Sequence, residues 1–216
     1  MRSSVFIRIA IAAPLLAAGL LAASFPDPPA ASAGAPAGKK ATAVLAGGCF
    51  WGMQGVFEHV KGVTDTEVGY AGGKRDTARY ERVEVGDTGH AESIKITYDP
   101  AKISYGQLLK IYFSVAHDPT TLNRQHNDVG TQYRSSVFYA DEEQKKTAEA
   151  YIAELNQRHV FRDPIVTKVV PLEGFFAAED YHQHFLDKNP THPYIVHMDL
   201  PLIEALKQQY PDLYKR

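Results

Sequence analysis

Hydrophobic and polar positions change their spacing along the chain, and these changes predict a series of strands and helices. Residues 43–46 form a short apolar run that is typical of a buried strand. Gly47 and Gly48 then predict a tight turn. The next apolar positions recur at helical spacing and predict a helix over residues 50–60: Phe50, Met53, Val56, Phe57 and Val60. Cys49 is therefore expected where a strand passes into a helix.

Two further strands are predicted in the next segment, over residues 63–70 and 90–98. The second alternates, and one of its sides carries Glu92, Ile94, Ile96 and Tyr98. Side chains two residues apart point to the same face of a strand, so Glu92 shares its face with two isoleucines. The carboxyl of Glu92 is therefore expected to face the core rather than solvent.

A helix, a loop and a strand are predicted in the middle of the chain. Ser104 and Gln107 have the spacing of a capping box, which predicts the start of a helix, and apolar positions continue this helix to Val115. A long polar loop is expected over residues 117–130. The strand follows over residues 132–139.

One more helix and one more strand are predicted before the C-terminal segment. Asp141 is a typical N-cap residue and precedes a predicted helix over residues 142–157. Residues 165–172 have the composition of a strand. Pro164 and Pro171 flank its interior, which favours a position at the edge of a sheet.

The first six predicted elements occur in the order strand, helix, strand, strand, helix, strand. This order is typical of the split βαβ arrangement, so we predict an α+β fold of the ferredoxin-like class, with a mostly antiparallel sheet and helices on one face. A C-terminal extension follows. Residues 199–210 carry Leu202, Ile203, Leu206 and Tyr210 at helical spacing, so this helix either packs onto its own domain or docks onto a partner.

The N-terminal residues have the order of a secretory leader. Arg2 and Arg8 precede an uncharged apolar stretch, and the small-residue triplets at 22–24 and 31–33 offer cleavage sites. The apolar stretch is too short to span a hydrocarbon core of ~30 Å comfortably, so export to the bacterial periplasm is favoured over a membrane anchor made by an uncleaved leader. Residues 26–40 are rich in Pro, Ala and Gly, which is typical of a flexible linker. We predict a signal peptide over residues 1–33, a flexible linker over residues 34–41 and a single catalytic domain over residues 42–216.

Composition narrows the classes of partner and of site. The chain of 216 residues contains 23 Lys and Arg against 25 Asp and Glu, so it lacks the cationic surplus that nucleic-acid binding requires. Because the sequence holds one cysteine, neither an intrachain disulfide nor a cysteine-rich metal cluster can form within it. We expect a monomer without a nucleic-acid partner.

Cys49 is the first candidate for chemistry. A thiol at a helix N-terminus lies near unpaired backbone N–H groups and the positive end of the helix dipole, and both are expected to favour the thiolate. One alternative is a hydrolase or acyltransferase in which His90 or His117 activates Cys49. Another is a non-enzymatic metal-binding module built on the later histidines, which are His182, His184, His192 and His197.

Five sequence blocks resemble one known family in their identity and order. They are GCFWG at residues 48–52, VGYAGG at 68–73, GDTGHAE at 86–92, NDVGTQYRS at 127–135, and AEDYHQ at 178–183 with KNP at 188–190. This set resembles the motifs of the peptide methionine sulfoxide reductase A family. The resemblance covers residues 42–190, and five blocks in the same order are more specific than any one of them.

The resemblance implies reduction of the S epimer of methionine sulfoxide, free or within oxidised proteins and peptides, without a metal or a bound cofactor. It implies that Cys49 is the nucleophile and that Glu92 donates a proton to the sulfoxide oxygen. The other implied site residues are Tyr70 and Tyr133, which would hydrogen-bond that oxygen, Asp128 at the polar rim, and Phe50 and Trp51 as the apolar wall for the methyl group. To donate near neutral pH, Glu92 needs a pKa raised by burial.

The cysteine count departs from the pattern of many family members, which carry one or two further cysteines in the C-terminal tail. The residues after Pro190 contain none. The sulfenic acid formed on Cys49 must then be reduced by an external thiol, either a thioredoxin-like protein or a small thiol, with a mixed disulfide as intermediate.

Overall fold

The computed structural model describes residues 25–29 and 39–216. Residues 1–24 of the predicted signal peptide lie outside the described residues, as do residues 30–38. The strands in the described part are β1 (Ala41–Ala46), β2 (Val63–Ala71), β3 (Ala91–Tyr98), β4 (Arg124–Gln125), β5 (Asp128–Val129), β6 (Ser136–Tyr139), β7 (Lys168–Pro171) and β8 (Phe175–Ala177). The α-helices are α1 (Phe50–Glu58), α2 (Tyr80–Val83), α3 (Tyr105–Ile111), α4 (Glu142–Gln157), α5 (Phe185–Lys188) and α6 (Leu200–Gln209).

Six strands form one sheet in the order β7-β6-β1-β3-β2-β8. The four central strands, β6, β1, β3 and β2, pair antiparallel to one another. This strand order is that of the split βαβ arrangement, and it confirms the predicted α+β, ferredoxin-like fold. The predicted edge strand is β7, which pairs parallel to β6, while β8 extends the opposite edge by pairing with β2.

Helices α1, α3 and α4 pack with the sheet in the main core. Ile94 and Ile96 of β3 are fully buried there, together with Phe57 of α1 and Leu109 of α3. Because side chains alternate along a strand, Glu92 points to the same face as the two isoleucines and is only 3% exposed. The predicted burial of Glu92 is therefore confirmed.

Two loop regions differ from the sequence prediction. The expected polar loop over residues 117–130 contains the hairpin of β4 and β5. The strand expected from residue 132 begins only at Ser136, and a 3₁₀ turn over Thr131–Tyr133 precedes it. The buried Gln132 explains the turn, because its side-chain amide donates to the backbone oxygen of Glu84 over 2.9 Å. A distant backbone group therefore outweighs the local preference for a strand.

The C-terminal extension packs onto its own domain. A π-helical turn over Ile195–Asp199 leads into α6, and Leu206 of α6 is fully buried in the main core. This confirms the first of the two alternatives for this segment. Within the described residues, no helix has the length and apolar character needed to cross a membrane.

Residues 25–29 contact the helical layer, although their composition predicts a flexible linker. The ring of Phe25 meets the edge of the Tyr151 ring with centroids 6.4 Å apart. The Tyr151 hydroxyl donates to the backbone oxygen of Pro26 over 2.7 Å, and Asp27 forms an ion pair with Lys110 at 2.7 Å. Contacts with α3 and α4 thus hold this part of the segment in place.

The capping box at α3 gives a test of local stability. The Ser104 hydroxyl accepts from Gln107 N–H over 3.1 Å, and the Gln107 side chain accepts from Ser104 N–H over 2.9 Å. We expect Ser104→Ala to lower the free energy of unfolding by about 1 kcal/mol, because the substitution removes the capping acceptor. Urea unfolding measures this change. Lys146→Ala, at an exposed position of α4, is the control and should change stability by less than about 0.5 kcal/mol. Equal stability of the two variants would contradict the prediction.

Candidate active site

Cys49 is the N-cap residue of α1 and follows β1 after a turn of two glycines. Gly48 has φ +89°, a left-handed conformation that glycine adopts without strain. A β-carbon at this position would lie 2.5 Å from the Gln125 side chain, so β4 can approach the turn only because a glycine is present. Cys49 itself is partly exposed. The predicted placement of Cys49 between a strand and a helix is confirmed.

Glu92 reaches the start of the same helix from β3. Its Oε2 accepts a hydrogen bond from Phe50 N–H over 3.1 Å, and Phe50 directly follows Cys49 in the chain. Burial raises the pKa of Glu92 to about 8, although the Phe50 N–H favours the charged form. The carboxyl is therefore mostly protonated at neutral pH. A buried proton donor lies beside the candidate nucleophile.

The pKa of the Cys49 thiol is raised, whereas its position at a helix N-terminus had predicted a lowered pKa. Burial raises this pKa well above its ordinary value, and the negative charges of Glu92 and Asp199 add to the effect. The backbone N–H of Trp51 lowers the pKa but does not offset the other contributions. The prediction that the helix start makes the thiolate the favoured form is wrong, because the site combines low polarity with nearby carboxylates.

Phe50 and Trp51 belong to an apolar cluster that includes Cys49. Phe50 is buried in this cluster with Val68 and Tyr70, while Trp51 packs against its outer side. The Trp51 ring stacks on Phe185 with centroids 3.8 Å apart. Both residues of the predicted apolar wall therefore belong to the same cluster as Cys49.

The structure does not support the predicted role of Tyr70. Its side chain is fully buried, and its hydroxyl donates to Glu179 Oε2 over 2.8 Å. That hydroxyl is not available to a substrate oxygen. Tyr80, which sequence reasoning missed, packs against the cluster around Cys49, and its pKa is raised first by burial and next by Glu92. Tyr80 begins the short helix α2, whose polar sequence gave no helical signal.

Tyr133 and Asp128 reach the site from the loop region after β4. Burial, followed by the charges of Glu92 and Asp128, raises the pKa of Tyr133, so its hydroxyl stays protonated near these carboxyls. Asp128 Oδ2 accepts a hydrogen bond from the Tyr194 hydroxyl over 2.5 Å. Both predicted residues lie in the same electrostatic environment as Cys49.

Two further residues from the C-terminal segment were missed by sequence reasoning, Tyr194 and Asp199. Asp199 is 3% exposed, and burial, with the charge of Asp128, raises its pKa to about 7. Its carboxyl touches the first turn of α1, since a β-carbon on Gly52 would lie 2.5 Å from Asp199 Oδ1. No local pattern marks these residues, because their partners lie far away in the chain.

Comparison with known proteins identifies this arrangement. The family described as peptide methionine sulfoxide reductase matches residues 41–213. A peptide methionine sulfoxide reductase of Mesorhizobium japonicum is 57% identical over 173 residues, which cover 80% of this chain and 89% of that protein. One from Synechocystis sp. is 54% identical over 173 residues, covering 80% of this chain and 81% of that protein. The chain belongs to the peptide methionine sulfoxide reductase family.

Solved structures agree with this assignment. The reduced form of Mxr1 from Saccharomyces cerevisiae has a TM-score of 0.67 and 36% identity, covering 71% of this chain and 88% of that chain. Methionine sulfoxide reductase A of Corynebacterium diphtheriae has a TM-score of 0.63 and 34% identity, covering 72% of this chain and 78% of that chain. The chain is therefore a methionine sulfoxide reductase.

The hydrolase alternative finds no support in the reductase fold. His117 is buried, with Nδ1 bonded to the backbone oxygen of Tyr112 and Nε2 bonded to Ser135 Oγ. His90 Nε2 bonds to the backbone oxygen of Lys74. Both imidazoles are thus engaged with groups other than the Cys49 thiol.

The metal-binding alternative also lacks support. His182 Nδ1 accepts from the Trp51 indole, whereas His184 Nδ1 bonds to Glu58 at 2.5 Å. The two imidazoles therefore have separate partners. Within residues 25–29 and 39–216, no group of three or more His, Cys, Asp or Glu side chains has an arrangement that could hold a metal ion.

Glu92 gives a direct test of the site. We expect Glu92→Gln to lower the rate of methionine formation at pH 7 by about 100-fold or more, because the amide has no acidic proton to transfer. In the wild type, activity that depends on this proton should fall as pH rises through about 8, where Glu92 ionises, and the variant should lack this decline. Methionine release from a sulfoxide peptide measures both effects.

Glu149→Gln is the matched control, since it removes an exposed carboxylate from α4. Its rate and pH profile should equal those of the wild type. Full activity of Glu92→Gln would remove Glu92 from the chemistry.

Proposed function

We propose that this reductase acts on the S epimer of methionine sulfoxide, with the Cys49 sulfur attacking the sulfoxide sulfur and Glu92 protonating the oxygen. The observation that carries the proposal is the buried Glu92 carboxyl, which is hydrogen-bonded to the residue after Cys49 and mostly protonated at neutral pH. An oxide ion is a very poor leaving group, and protonation makes its departure feasible. A buried carboxylic acid next to a thiol can supply the proton that the leaving oxygen needs.

The proposed step balances in atoms and electrons. The Cys49 thiol and the sulfoxide give a Cys49 sulfenic acid and methionine. Glu92 donates its proton to the departing oxygen and is reprotonated by the proton that the thiol releases as its sulfur attacks. The sulfur–oxygen bond of the substrate breaks and a sulfur–oxygen bond forms on Cys49. Two electrons pass from Cys49 to the substrate, so the thioether is reduced and the cysteine is oxidised.

Magnitudes favour Glu92 as the main source of acceleration after the sulfur itself. Lowering a thiol pKa from ~8.5 to ~7 raises the thiolate fraction at neutral pH about 15-fold, but the accompanying loss of nucleophilicity removes about fivefold of this gain. A positioned acid contributes typically ~10² to 10⁴. The raised pKa of Cys49 is consistent with a site that relies on proton donation rather than on a standing thiolate.

We assign the hydrogen bonds to the substrate oxygen to Tyr133 and Tyr80. Both pKa values are raised by burial and by the charges of Glu92 and Cys49, which supports hydroxyls that remain protonated beside the reacting atoms. In this proposal Tyr80 takes the role that the family resemblance implied for Tyr70.

The positions of Glu92 and of the apolar cluster of Phe50 and Trp51 support a preference for one epimer. The proton donor Glu92 defines where the oxygen lies, and the cluster of Phe50 and Trp51 defines where the methyl group lies. The third substituent, which is the rest of the methionine or peptide, must then leave toward solvent. Only one configuration at sulfur satisfies all three positions, and we propose that it is S. Free and peptide-bound sulfoxides share these three groups.

The absence of a second cysteine in the sequence supports resolution by an external thiol, either a thioredoxin-like protein or a small thiol. The thiolate of the external reductant attacks the sulfur of the Cys49 sulfenic acid, and water leaves. The mixed disulfide that forms is then reduced by a second thiol. We also propose that the enzyme acts after export to the periplasm, a proposal that rests on the leader-like N-terminal sequence.

Single-turnover stoichiometry tests this mechanism. Without reductant, the enzyme should release about one equivalent of methionine from the S epimer and none from the R epimer, because one sulfur can accept one oxygen. Mass spectrometry should find one added oxygen per chain. Cys49→Ser should release no methionine and gain no oxygen at this position. More than one equivalent, or product from the R epimer, would refute the mechanism.

A further inference from the structure

Asp199 is a buried acid that lacks the hydrogen bonds expected at its position. It is 3% exposed, and its Oδ2 has no hydrogen-bond partner in the described part of the chain. It occupies the N-cap position of α6, where an Asp side chain usually accepts from backbone N–H groups of the first turn, but it forms no such cap. A buried polar atom without a partner lowers the stability of a fold, so such atoms are rare and can indicate a catalytic role.

The Asp199 carboxyl lines a small cavity beside the Cys49 thiol. The cavity has a volume of about 20 Å³, and Gly47, Gly52 and Tyr194 also contribute to its lining. A cavity of this size can hold one water molecule, which needs at least ~10 to 15 Å³. A single oxygen atom bonded to the Cys49 sulfur therefore fits within it, next to Asp199.

The cavity lies on a different side of the sulfur from the residues assigned to the sulfoxide. Among the described residues, the apolar cluster of Phe50 and Trp51 shares only Cys49 with the lining of the cavity. Glu92, which accepts from Phe50 N–H, does not contribute to that lining. Cys49 thus faces two separate carboxyl groups, Glu92 on the side of the apolar cluster and Asp199 on the side of the cavity.

The regeneration of Cys49 needs an acid of its own. When an external thiolate attacks the sulfenic acid, the oxygen would leave as hydroxide unless it received a proton. Displacement at sulfur proceeds in line, so the incoming thiolate and the leaving oxygen lie on opposite sides of the Cys49 sulfur. In the proposed function, the thiolate enters from the solvent side that methionine has left. The oxygen then departs toward the cavity.

We propose that Asp199 protonates the oxygen that leaves the Cys49 sulfenic acid when the external thiol attacks. This inference rests on the proposed function, which supplies both the sulfenic acid and the external thiol. Rotation about the Cβ–Sγ bond of Cys49 brings the sulfenic oxygen from the side of Glu92 into the cavity. Glu92 then serves the reduction of the substrate, and Asp199 serves the regeneration of the enzyme.

The proposed step balances in atoms and electrons. The thiolate sulfur bonds to the Cys49 sulfur, the sulfur–oxygen bond breaks, and the Asp199 proton passes to the oxygen. The products are a mixed disulfide, water and the Asp199 carboxylate. The proton that the external thiol lost when it ionised returns to Asp199 through solvent. In sum, one thiol is oxidised and the sulfenic sulfur is reduced, with release of one water molecule.

The charges around Asp199 suit a group that gives and regains a proton. Burial, followed by the charge of Asp128, raises the pKa of Asp199 to about 7, so the acid and the carboxylate are both populated at neutral pH. The titratable groups that face it are those of Cys49, Asp128, Tyr194 and His126. Asp128 is itself bound by the Tyr194 hydroxyl. Asp199 is therefore the carboxyl on this side that is free to donate.

Asp199→Asn tests the proton donor, because the amide keeps the shape of the carboxyl but has no acidic proton. Hydrogen peroxide is used to form the sulfenic acid, so that the measurement does not depend on sulfoxide reduction. Dithiothreitol then reduces it, and mass spectrometry follows the loss of the added oxygen. We expect the rate constant at pH 7 to fall about 100-fold in Asp199→Asn, which is the lower end of what a positioned acid contributes.

Asp212→Asn is the matched control, since it removes an exposed carboxylate that follows α6. Its sulfenic acid should be reduced at the wild-type rate.

A second leaving group separates proton donation from access to the sulfur. The disulfide of Cys49 with 2-nitro-5-thiobenzoate releases a thiolate of low pKa, which leaves readily without a proton. Dithiothreitol should therefore release this thiolate from Asp199→Asn at no less than about a third of the wild-type rate. The absorbance of the released thiolate measures it.

Single-turnover reduction of an S-sulfoxide peptide gives the third comparison. Because Glu92 is the donor in that step, Asp199→Asn should lose at least about tenfold less in the rate of methionine formation than in the rate of sulfenic acid reduction. Rapid quenching of the enzyme and peptide, without dithiothreitol, measures the methionine formed.

The outcomes keep this inference separate from the proposed function. Reduction of the sulfenic acid at the same rate in Asp199→Asn and the wild type overturns the role of Asp199. An equal loss with both leaving groups assigns the effect to access or packing, and an equal loss in both half-reactions removes the division between the two carboxyls; either result overturns the inference. A wild type that forms no methionine from the S epimer overturns the proposed function, whereas the peroxide experiment still tests Asp199.

Discussion

The hydrogen bond from Phe50 N–H to the Glu92 carboxyl is the contact on which the active site depends. It joins the first turn of α1 to the core-facing side of β3. Because the donor is the backbone of the residue after Cys49, the position of the Glu92 carboxyl relative to Cys49 follows from the packing of a helix on a sheet. Burial in that packing also raises the pKa of Glu92 to about 8 and keeps its proton available at neutral pH. The packing of α1 on β3 therefore sets both the position and the protonation state of Glu92, although the hydrogen bond itself favours the charged form.

The charges around Cys49 act against the helix terminus, which by itself would favour the thiolate. Glu92 and Asp199 raise the pKa of the thiol, as burial does, and the N–H of Trp51 offsets only part of this increase. Asp199 comes from the C-terminal segment, which packs against α1 and closes the far side of the site. The resting site accordingly holds protons on its carboxyl and its thiol. In the proposed mechanism, the substrate oxygen accepts a proton as the Cys49 sulfur attacks.

Residues in the second half of the chain form hydrogen bonds to side chains and backbone groups of the candidate site. Glu179 binds the start of α2 and the Tyr70 hydroxyl, while His182 binds the Trp51 indole. Tyr194 donates to Asp128 at the rim. The tail after residue 190 has no cysteine, and its helix α6 is packed into the main core instead. The tail contributes structure and charge to the site rather than a second redox group.

The sequence by itself determined the elements with strong local signals and the residues within recognisable motifs. Strand alternation placed Glu92 on the buried face, and the capping box located α3, because both depend on groups within a few residues of one another. Motif order indicated the family, and the resemblance implied the roles of Cys49 and Glu92.

Only the tertiary structure decided which hydroxyls and charges face the sulfur. Tyr70 lies opposite Glu92 in the β2–β3 register, yet its hydroxyl is bound by Glu179, which is 109 residues away. The upward shift of the Cys49 pKa likewise comes first from burial and then from the charges of Glu92 and Asp199, and Asp199 lies at the other end of the domain. The spacing of hydrophobic residues predicts whether a segment forms a helix or a strand and which of its faces is buried. Hydrogen-bond partners and burial depend on contacts between distant segments, and no local pattern encodes them.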